Sequence, residues 1–249
     1  DLQEAAHWYL QAAQRGYPRA QCNLAYFYDE GIGVEQDYAT AVHWYTEAAN
    51  QNYPRAQCNL GYCYEMGHGV EKNLLEAAKY YTLAADAGDA VAQCNIAWFL
   101  LNGTTGVKDP EKAFQYFSKS AEQNNTRGLY NVALCYANGD GVHKDRVKAV
   151  EWFRKAAALG HPGAMFYLGQ YSETGLGGLP RDLNKARDWY QRAADKGDKS
   201  AKDALEKLNA GGASQKTTPP VAPPSPDKPE EKPSDEDKKK GGFFKKFFG

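Results

Sequence analysis

"PRAQCNL" occupies residues 18–24, and the same seven letters return at 54–60, 36 residues further on. Stepping outward by 36 from Ala20 reaches Ala56, Ala92, Gly128 and Ala164, and one step of 37 reaches Ala201. Four residues into each unit stand Leu24, Leu60, Ile96, Val132 and Leu168, each followed by a small residue: Ala25, Gly61, Ala97, Ala133, Gly169. Tyr28, Tyr64, Leu100, Tyr136 and Ser172 close the pattern. Offsets of 0, +4 and +8 place these side chains on one helical face. Each unit therefore opens with a helix, helix A, at about residues 19–30 in the first copy.

Paired glycines follow helix A: Gly31 and Gly33, Gly67 and Gly69, Gly103 and Gly106, Gly139 and Gly141, Gly175 and Gly177. They suit tight inter-helix loops, where positive φ costs glycine little. Five copies with no following GK[ST] argue for a structural task and against a phosphate cradle. A second helix, helix B, is marked by Trp8, Trp44, Tyr80, Tyr116, Trp152 and Trp189, with Ala5, Ala41, Ala77, Ala113, Ala149 and Ala186 just before. Large rings against small residues suit interlocking helices. Helix B stops at Gly16, Asn52, Gly88, Asn124, Gly160 and Gly197, and Gly and Asn are the residues that tolerate a left-handed cap.

One such hairpin cannot bury its apolar face alone, whereas stacked copies bury it against each other. The expected fold is an all-α solenoid of antiparallel hairpins. Residues 1–19 read as a helix B without its helix A, with Asp1 aligned to the N-cap residue Asp37. Residues 20–209 read as five full repeats and a charged capping helix, and 210–249 as a disordered tail. The chain begins in mid-pattern, so a truncated array is the expectation.

The pattern A-x-x-x-[LIV]-[GA]-x-x-Y-x-x-G-x-G-V, then K-A-x-x-W-[YF]-x-K-A-A, resembles the Sel-1-like repeat, a relative of the tetratricopeptide repeat with a longer loop. "AQCNLGYCYEMGHGV" at 56–70 carries the first half and "VKAVEWFRKAA" at 147–157 the second. "NGTTGV" at 102–107 and "TGLGGLP" at 174–180 each hold one extra loop residue, and the third unit loses one before Pro110, which restores the period of 36; these departures are expected to alter loops and not the stack. The resemblance implies a right-handed superhelix that binds other proteins and does not itself catalyse. It also points to a groove on the concave side. Asn23, Asn59, Asn95 and Asn131 precede the repeated aliphatic residue, with Tyr167 in the fifth copy. They resemble the Asn ladders that hold extended peptides in tetratricopeptide superhelices, since a carboxamide both donates to and accepts from a peptide unit. Tyr26, Tyr62 and Trp98 would add aromatic anchors. The alternative is that these Asn bond a neighbouring loop and keep the repeats in register.

Other chemistry is sparse. The formal net charge of -1 gives no electrostatic footprint for nucleic acid. No HExxH, G-x-S-x-G or CxxC occurs, so neither a catalytic site, a metal nor a cofactor is expected. The five Cys are an odd number, three of them at repeat-equivalent positions (Cys22, Cys58, Cys94), which favours free thiols and a reducing, cytoplasmic compartment.

The tail ends "KKKGGFFKKFFG". On a helix Phe243, Phe244, Phe247 and Phe248 share one side and Lys245 and Lys246 the other. Together with Lys238, Lys239 and Lys240 they suit an anionic membrane surface or a protein acceptor. Ser234 precedes three acidic residues, a context for an acidophilic kinase. The expected function is a non-catalytic adaptor or scaffold that binds protein partners or extended peptides through the concave surface, with the tail localising it. The alternative is a regulatory subunit or chaperone-like cofactor of a membrane-associated enzyme.

Overall fold

The structure is a computed structural model that describes residues 1–210. The tail readings above, including Ser234 and the Lys/Phe segment, fall outside the described residues. Among the described residues there are twelve helices and no strand. They are α1 (Leu2–Gln14), α2 (Pro18–Glu30), α3 (Tyr38–Asn50), α4 (Pro54–Met66), α5 (Leu74–Asp86) and α6 (Ala90–Asn102). There follow α7 (Pro110–Glu122), α8 (Thr126–Asn138), α9 (Arg146–Ala158), α10 (Pro162–Thr174), α11 (Leu183–Asp195) and α12 (Lys199–Ala210).

The two kinds of helix start and stop by different chemistry. Each odd-numbered helix opens on a side-chain N-cap: Asp1, Asp37, Asn73, Asp109, Asp145 and Asp182 accept from backbone N–H groups of the first turn. Such caps satisfy donors that the helix cannot, at about 1 kcal/mol each. The Thr40 hydroxyl and N–H hydrogen bonds hold the Asp37 carboxyl below the usual carboxylate range. Odd-numbered helices end just before Gly16, Asn52, Gly88, Asn124, Gly160 and Gly197, all at positive φ. Asn52 and Asn124 are the only non-glycine residues there among the described residues, at φ 59° and 58°. Even-numbered helices α2 to α10 end on a left-handed glycine: Gly31, Gly67, Gly103, Gly139 and Gly175.

The second glycine of four of these loops has another reason to be glycine. A Cβ on Gly33 would stand 2.5 Å from the Leu2 carbonyl, and one on Gly69 would overlap the Tyr38 carbonyl. The loops after α2, α4, α8 and α10 thus lie on the first turn of the previous outer helix. Gly106, which stands one residue later after its capping glycine than Gly33 or Gly69, would meet nothing within 4 Å. The spacing of its two glycines is one residue wider, but the loop is no longer than those after α2, α4 and α8, so the stack keeps its period.

Consecutive helices pack along the whole array, α1 on α2 through α11 on α12. In addition α6 and α8 meet directly. The even-numbered helices therefore form the inner layer and the odd-numbered ones the outer. Between them the core is built of Ala41, Ala77, Ala113, Ala149 and Ala186, all fully buried, against one ring per unit. That ring corrects the reading of helix B. Of the residues marked from sequence, Trp44, Tyr80, Trp152 and Trp189 are only half-buried and Trp8 is exposed, while Tyr116 alone is buried. The fully buried ring is the next residue: Tyr45, Tyr81, Phe117, Phe153 and Tyr190. Tyr81 and Tyr190 fill the space over Gly61 and Gly169, where any Cβ would collide with the ring. The close approach that the small residue permits is thus taken up by the second aromatic of the pair.

Candidate functional site

On each inner helix the side facing its two outer neighbours is apolar and buried, as with Leu24, Ala25 and Phe27 in α2. The remaining stripe follows helical spacing: Arg19, Asn23, Tyr26 and Glu30 on α2. In α4 it is Arg55, Asn59, Tyr62 and Met66, and in α6 Val91, Asn95, Trp98 and Asn102. In α8 it is Arg127, Asn131, Leu134 and Asn138, and in α10 Gly163, Tyr167, Gln170 and Thr174. The residues singled out from sequence, Asn23, Asn59, Asn95, Asn131, Tyr26, Tyr62 and Trp98, all fall on this stripe.

Within the stripe the Asn residues differ. Asn59 is half-buried, whereas Asn23, Asn95 and Asn131 are buried. Asn95 Oδ1 accepts from Arg127 Nη1 at 3.3 Å. The donor belongs to the next inner helix, not to a loop. The same step, 32 residues, joins Asn23 to Arg55, Asn59 to Val91 and Asn131 to Gly163. Val91 and Gly163 offer no such donor. In keeping with this, neither the Oδ1 nor the Nδ2 of Asn131 has a partner, although the residue is 0% exposed. A buried carboxamide without hydrogen bonds costs about 1–3 kcal/mol. Tyr26, Tyr62 and Trp98 are half-buried.

The far end of the wall is more aromatic. Tyr130 stands where the earlier units have Cys22, Cys58 and Cys94, and its ring stacks on His161 at 4.2 Å between centroids. A Cβ on Gly163 would lie 3.2 Å from that ring. Loss of the Arg side chain at 163 and gain of the ring at 130 are therefore one change in space. Tyr167 stacks in turn on Phe153 at 5.0 Å. Sequence reasoning marked neither Tyr130 nor its partner, because each interrupts a repeat and the compensation is visible only across two units.

Charge is polarised along the inner helices, although of the acids only Glu30 lies on the stripe itself. Arg19, Arg55 and Arg127 sit in the first turns of inner helices, and Asp29, Glu30, Glu65 and Glu173 in the last. No inner helix from α2 to α10 carries a basic residue in its last turn, whereas α7, α9 and α11 do. Helix dipoles add to the same sense, positive at the N-terminal edge and negative at the C-terminal edge. Three of these acids also have a core role: Tyr45 Oη donates to Asp29 at 3.2 Å, Tyr81 Oη to Glu65 at 2.7 Å and Tyr190 Oη to Glu173 at 2.7 Å. All five cysteines are buried thiols. Burial pushes the Cys22 and Cys63 thiols up to about 12, so they are protonated and unreactive at neutral pH. Among the described residues no cluster of His, Cys, Asp and Glu could hold a metal ion.

A two-layer helical stack with a repeated polar and aromatic stripe on its inner layer defines an α-solenoid of the protein-interaction class. The Sel1 repeat family model matches residues 1–17, 18–53, 54–89, 90–125, 126–161 and 162–198, and the chain belongs to that family. Sel1 repeat proteins mediate protein–protein interaction. A Sel1 repeat protein from Oxalobacter formigenes is 33% identical with a TM-score of 0.76, over 82% of this chain and 81% of that one. The protective antigen c5321 of uropathogenic Escherichia coli is 29% identical with a TM-score of 0.59, over 86% of this chain and 54% of that one. A Sel1 repeat protein from Klebsiella pneumoniae, 23% identical with a TM-score of 0.54, shares the fold. A search of curated proteins gave no match.

Proposed function

We propose that this chain is a non-catalytic adaptor whose inner wall binds an extended segment of a partner protein. The observation that carries this reading is the stripe itself. The same Asn and aromatic positions recur in register on α2, α4 and α6, which suits a ligand that repeats every peptide unit. The tail completes the adaptor as its localising segment, with Lys238–Lys240, Lys245 and Lys246 and the four Phe suited to an anionic membrane surface. No helix among the described residues is long and apolar enough to cross a membrane. The buried thiols suit a reducing, cytoplasmic setting.

The wall is tested by copurification from a lysate of the source organism. Asn59→Ala with Tyr62→Ala should reduce partner capture at least tenfold and leave the melting temperature within a few degrees of wild type. Asn95→Ala should behave differently and lower the melting temperature, because buried Arg127 loses an acceptor. Full capture by the Asn59/Tyr62 variant rejects the wall as the binding surface.

A further inference from the structure

We propose that the last turns of α7, α9 and α11 form a second docking surface, on the outer layer, for an extended acidic segment of a partner protein with a carboxylate at every third residue. The surface lies on the other layer from the inner wall, so it stands or falls independently of the reading of that wall.

A ladder of cations on rings occupies half of the stack. Three residues after the helix B aromatic stand Lys119, Lys155 and Arg192, and each cation lies over its ring. Lys119 Nζ is 5.5 Å from the centroid of Tyr116, Lys155 Nζ is 3.8 Å from that of Trp152, and Arg192 Cζ is 5.0 Å from that of Trp189. The same position in the first three outer helices holds Gln11, Glu47 and Leu83. The helix dipole favours a cation in a last turn. That dipole is the same in all six outer helices, however, and α1, α3 and α5 have no basic residue there. Helix stability therefore does not account for a ladder confined to α7, α9 and α11. Charge divides the same way. Residues 1–102 carry five Lys and Arg against twelve Asp and Glu, a formal -7, and residues 103–210 carry seventeen against thirteen, a formal +4.

The cations are open to a ligand. All three are exposed, and Lys119 and Lys155 have no ion-pair partner among the described residues. Arg192 pairs with Asp188 at 2.9 Å, but both side chains are 56% exposed, and such a pair contributes little and is readily exchanged. A ring beneath a cation narrows its range of positions, so less freedom is lost when a carboxylate binds. Half-buried Trp152 and Trp189 add apolar surface beside their cations. The helices alternate in direction, so this edge also carries the positive N-terminal ends of the inner helices, with Arg127 in the first turn of α8. Packed helices stand about 8–10 Å apart, and three residues of extended chain cover about 10 Å. A carboxylate at every third residue would thus meet one cation per outer helix. Exposed Glu122, Glu151, Asp188 and Asp195 stand on the same helices. A flat anionic membrane would press on those carboxylates, whereas a single strand can follow the cations.

The test uses the full chain and a fluorescent synthetic peptide of three Glu-Leu-Ser units, with a Gln-Leu-Ser counterpart. At physiological salt, where the Debye length is about 8 Å, the Glu peptide should bind at least tenfold more tightly than the Gln peptide, and added salt should weaken it. Lys119→Glu, Lys155→Glu and Arg192→Glu together should abolish binding with circular dichroism unchanged. Lys108→Glu, Lys144→Glu and Lys207→Glu change the net charge equally at three exposed lysines on the opposite edge, and should leave the affinity within threefold of wild type. Asn59→Ala with Tyr62→Ala should leave it unchanged. Equal affinity for the two peptides, or none for either, overturns the proposal. Equal loss in the two charge-reversed chains overturns it too, since net charge alone would then attract the peptide. Loss in the Asn59/Tyr62 chain overturns it by placing the acidic segment on the inner wall. A wild-type dimer in sedimentation that the ladder changes dissolve overturns it in favour of a second copy, whose acidic half would be the occupant. Ladder-dependent binding to phosphatidylserine vesicles, with no preference for the Glu peptide, overturns it in favour of the membrane.

Discussion

At the scale of single residues the repeats vary in pairs. Where an inner helix ends in an acid, Asp29, Glu65 or Glu173, the fully buried ring of the following outer helix is Tyr45, Tyr81 or Tyr190. Where that position is Leu101 or Ala137, the ring is Phe117 or Phe153. A buried phenol needs an acceptor and a buried carboxylate needs donors, so neither changes alone. Burial and then the Glu65 charge raise the Tyr81 phenol well above its ordinary value, so the hydroxyl remains the donor throughout the physiological range. Tyr81→Phe should cost about 1–3 kcal/mol, because Glu65 loses a buried donor. Glu65→Leu added to it should recover most of that loss, by recreating the Phe117/Leu101 pair. Urea unfolding of the two single variants and the double measures the coupling, and simple additivity would mean that the hydrogen bond contributes nothing.

The glutamines follow the same rule, with one exception. Gln51 donates to Gln21 Oε1 at 2.7 Å, and Gln123 donates to Gln93 Oε1 at 3.0 Å. The equivalent partner for Gln57 is Ala87, and Gln57 Oε1 is left without a hydrogen bond. Ala87, Gln51 and Gln123 share nearly the same backbone conformation at their helix ends. Ala87→Gln should therefore stabilise the protein by about 1 kcal/mol, a rise of about 2–4 °C in melting temperature for a chain of this size. No rise would show that the Gln pairs serve position rather than stability.

At the scale of elements, much was readable from letters alone. The Gly and Asn stops announced left-handed caps, and all six stand at positive φ. Asp1 aligns with Asp37, and both cap their helices. The small residues after the aliphatic position announced a close approach. Which ring exploits it was not readable, because Trp44 and Tyr45 are adjacent large aromatics and periodicity alone does not say which faces inward. The stripe of candidate residues was legible as a register. The Arg127–Asn95 bond and the Tyr130–Gly163 exchange were not, because each joins residues 32 or 33 positions apart on different helices. The loop glycines carry a prediction of this scale. Gly69→Ala should destabilise by well over 1 kcal/mol, since a methyl there strikes the Tyr38 carbonyl in addition to the strain of positive φ. Gly106→Ala, in open space at φ 85°, should cost only about 1–2 kcal/mol of backbone strain. Thermal melts of the two variants separate packing from strain, and equal losses would mean that the loop-on-helix contact is unimportant.

At the scale of the molecule, a stack in which each unit touches its neighbours should open by units, with the ends weakest. The core is uneven along the stack. One continuous apolar cluster runs from Cys58 through Ala201, while Cys22 belongs to a smaller cluster shared by the first two units. Beyond that, Ala13, Ala20 and Leu24 form a third, smaller still, beneath a first helix whose Trp8 is exposed. The N-terminal end is therefore the softer one. The buried thiols report on this directly, with Cys22 in the first unit, Cys58 and Cys63 in the second, Cys94 in the third and Cys135 in the fourth. Burial raises the Cys22 and Cys63 thiols to about 12, and opening returns them toward 9, where thiolate appears and alkylation proceeds. At pH 8 and low urea, a thiol reagent followed by peptide mass analysis should find Cys22 modified first and Cys94 among the last. The order should follow position in the stack and not residue chemistry, since Cys22 and Cys63 begin from nearly the same protonation state. If all five react at one rate, the stack opens in a single cooperative step and the division of its core has no energetic meaning.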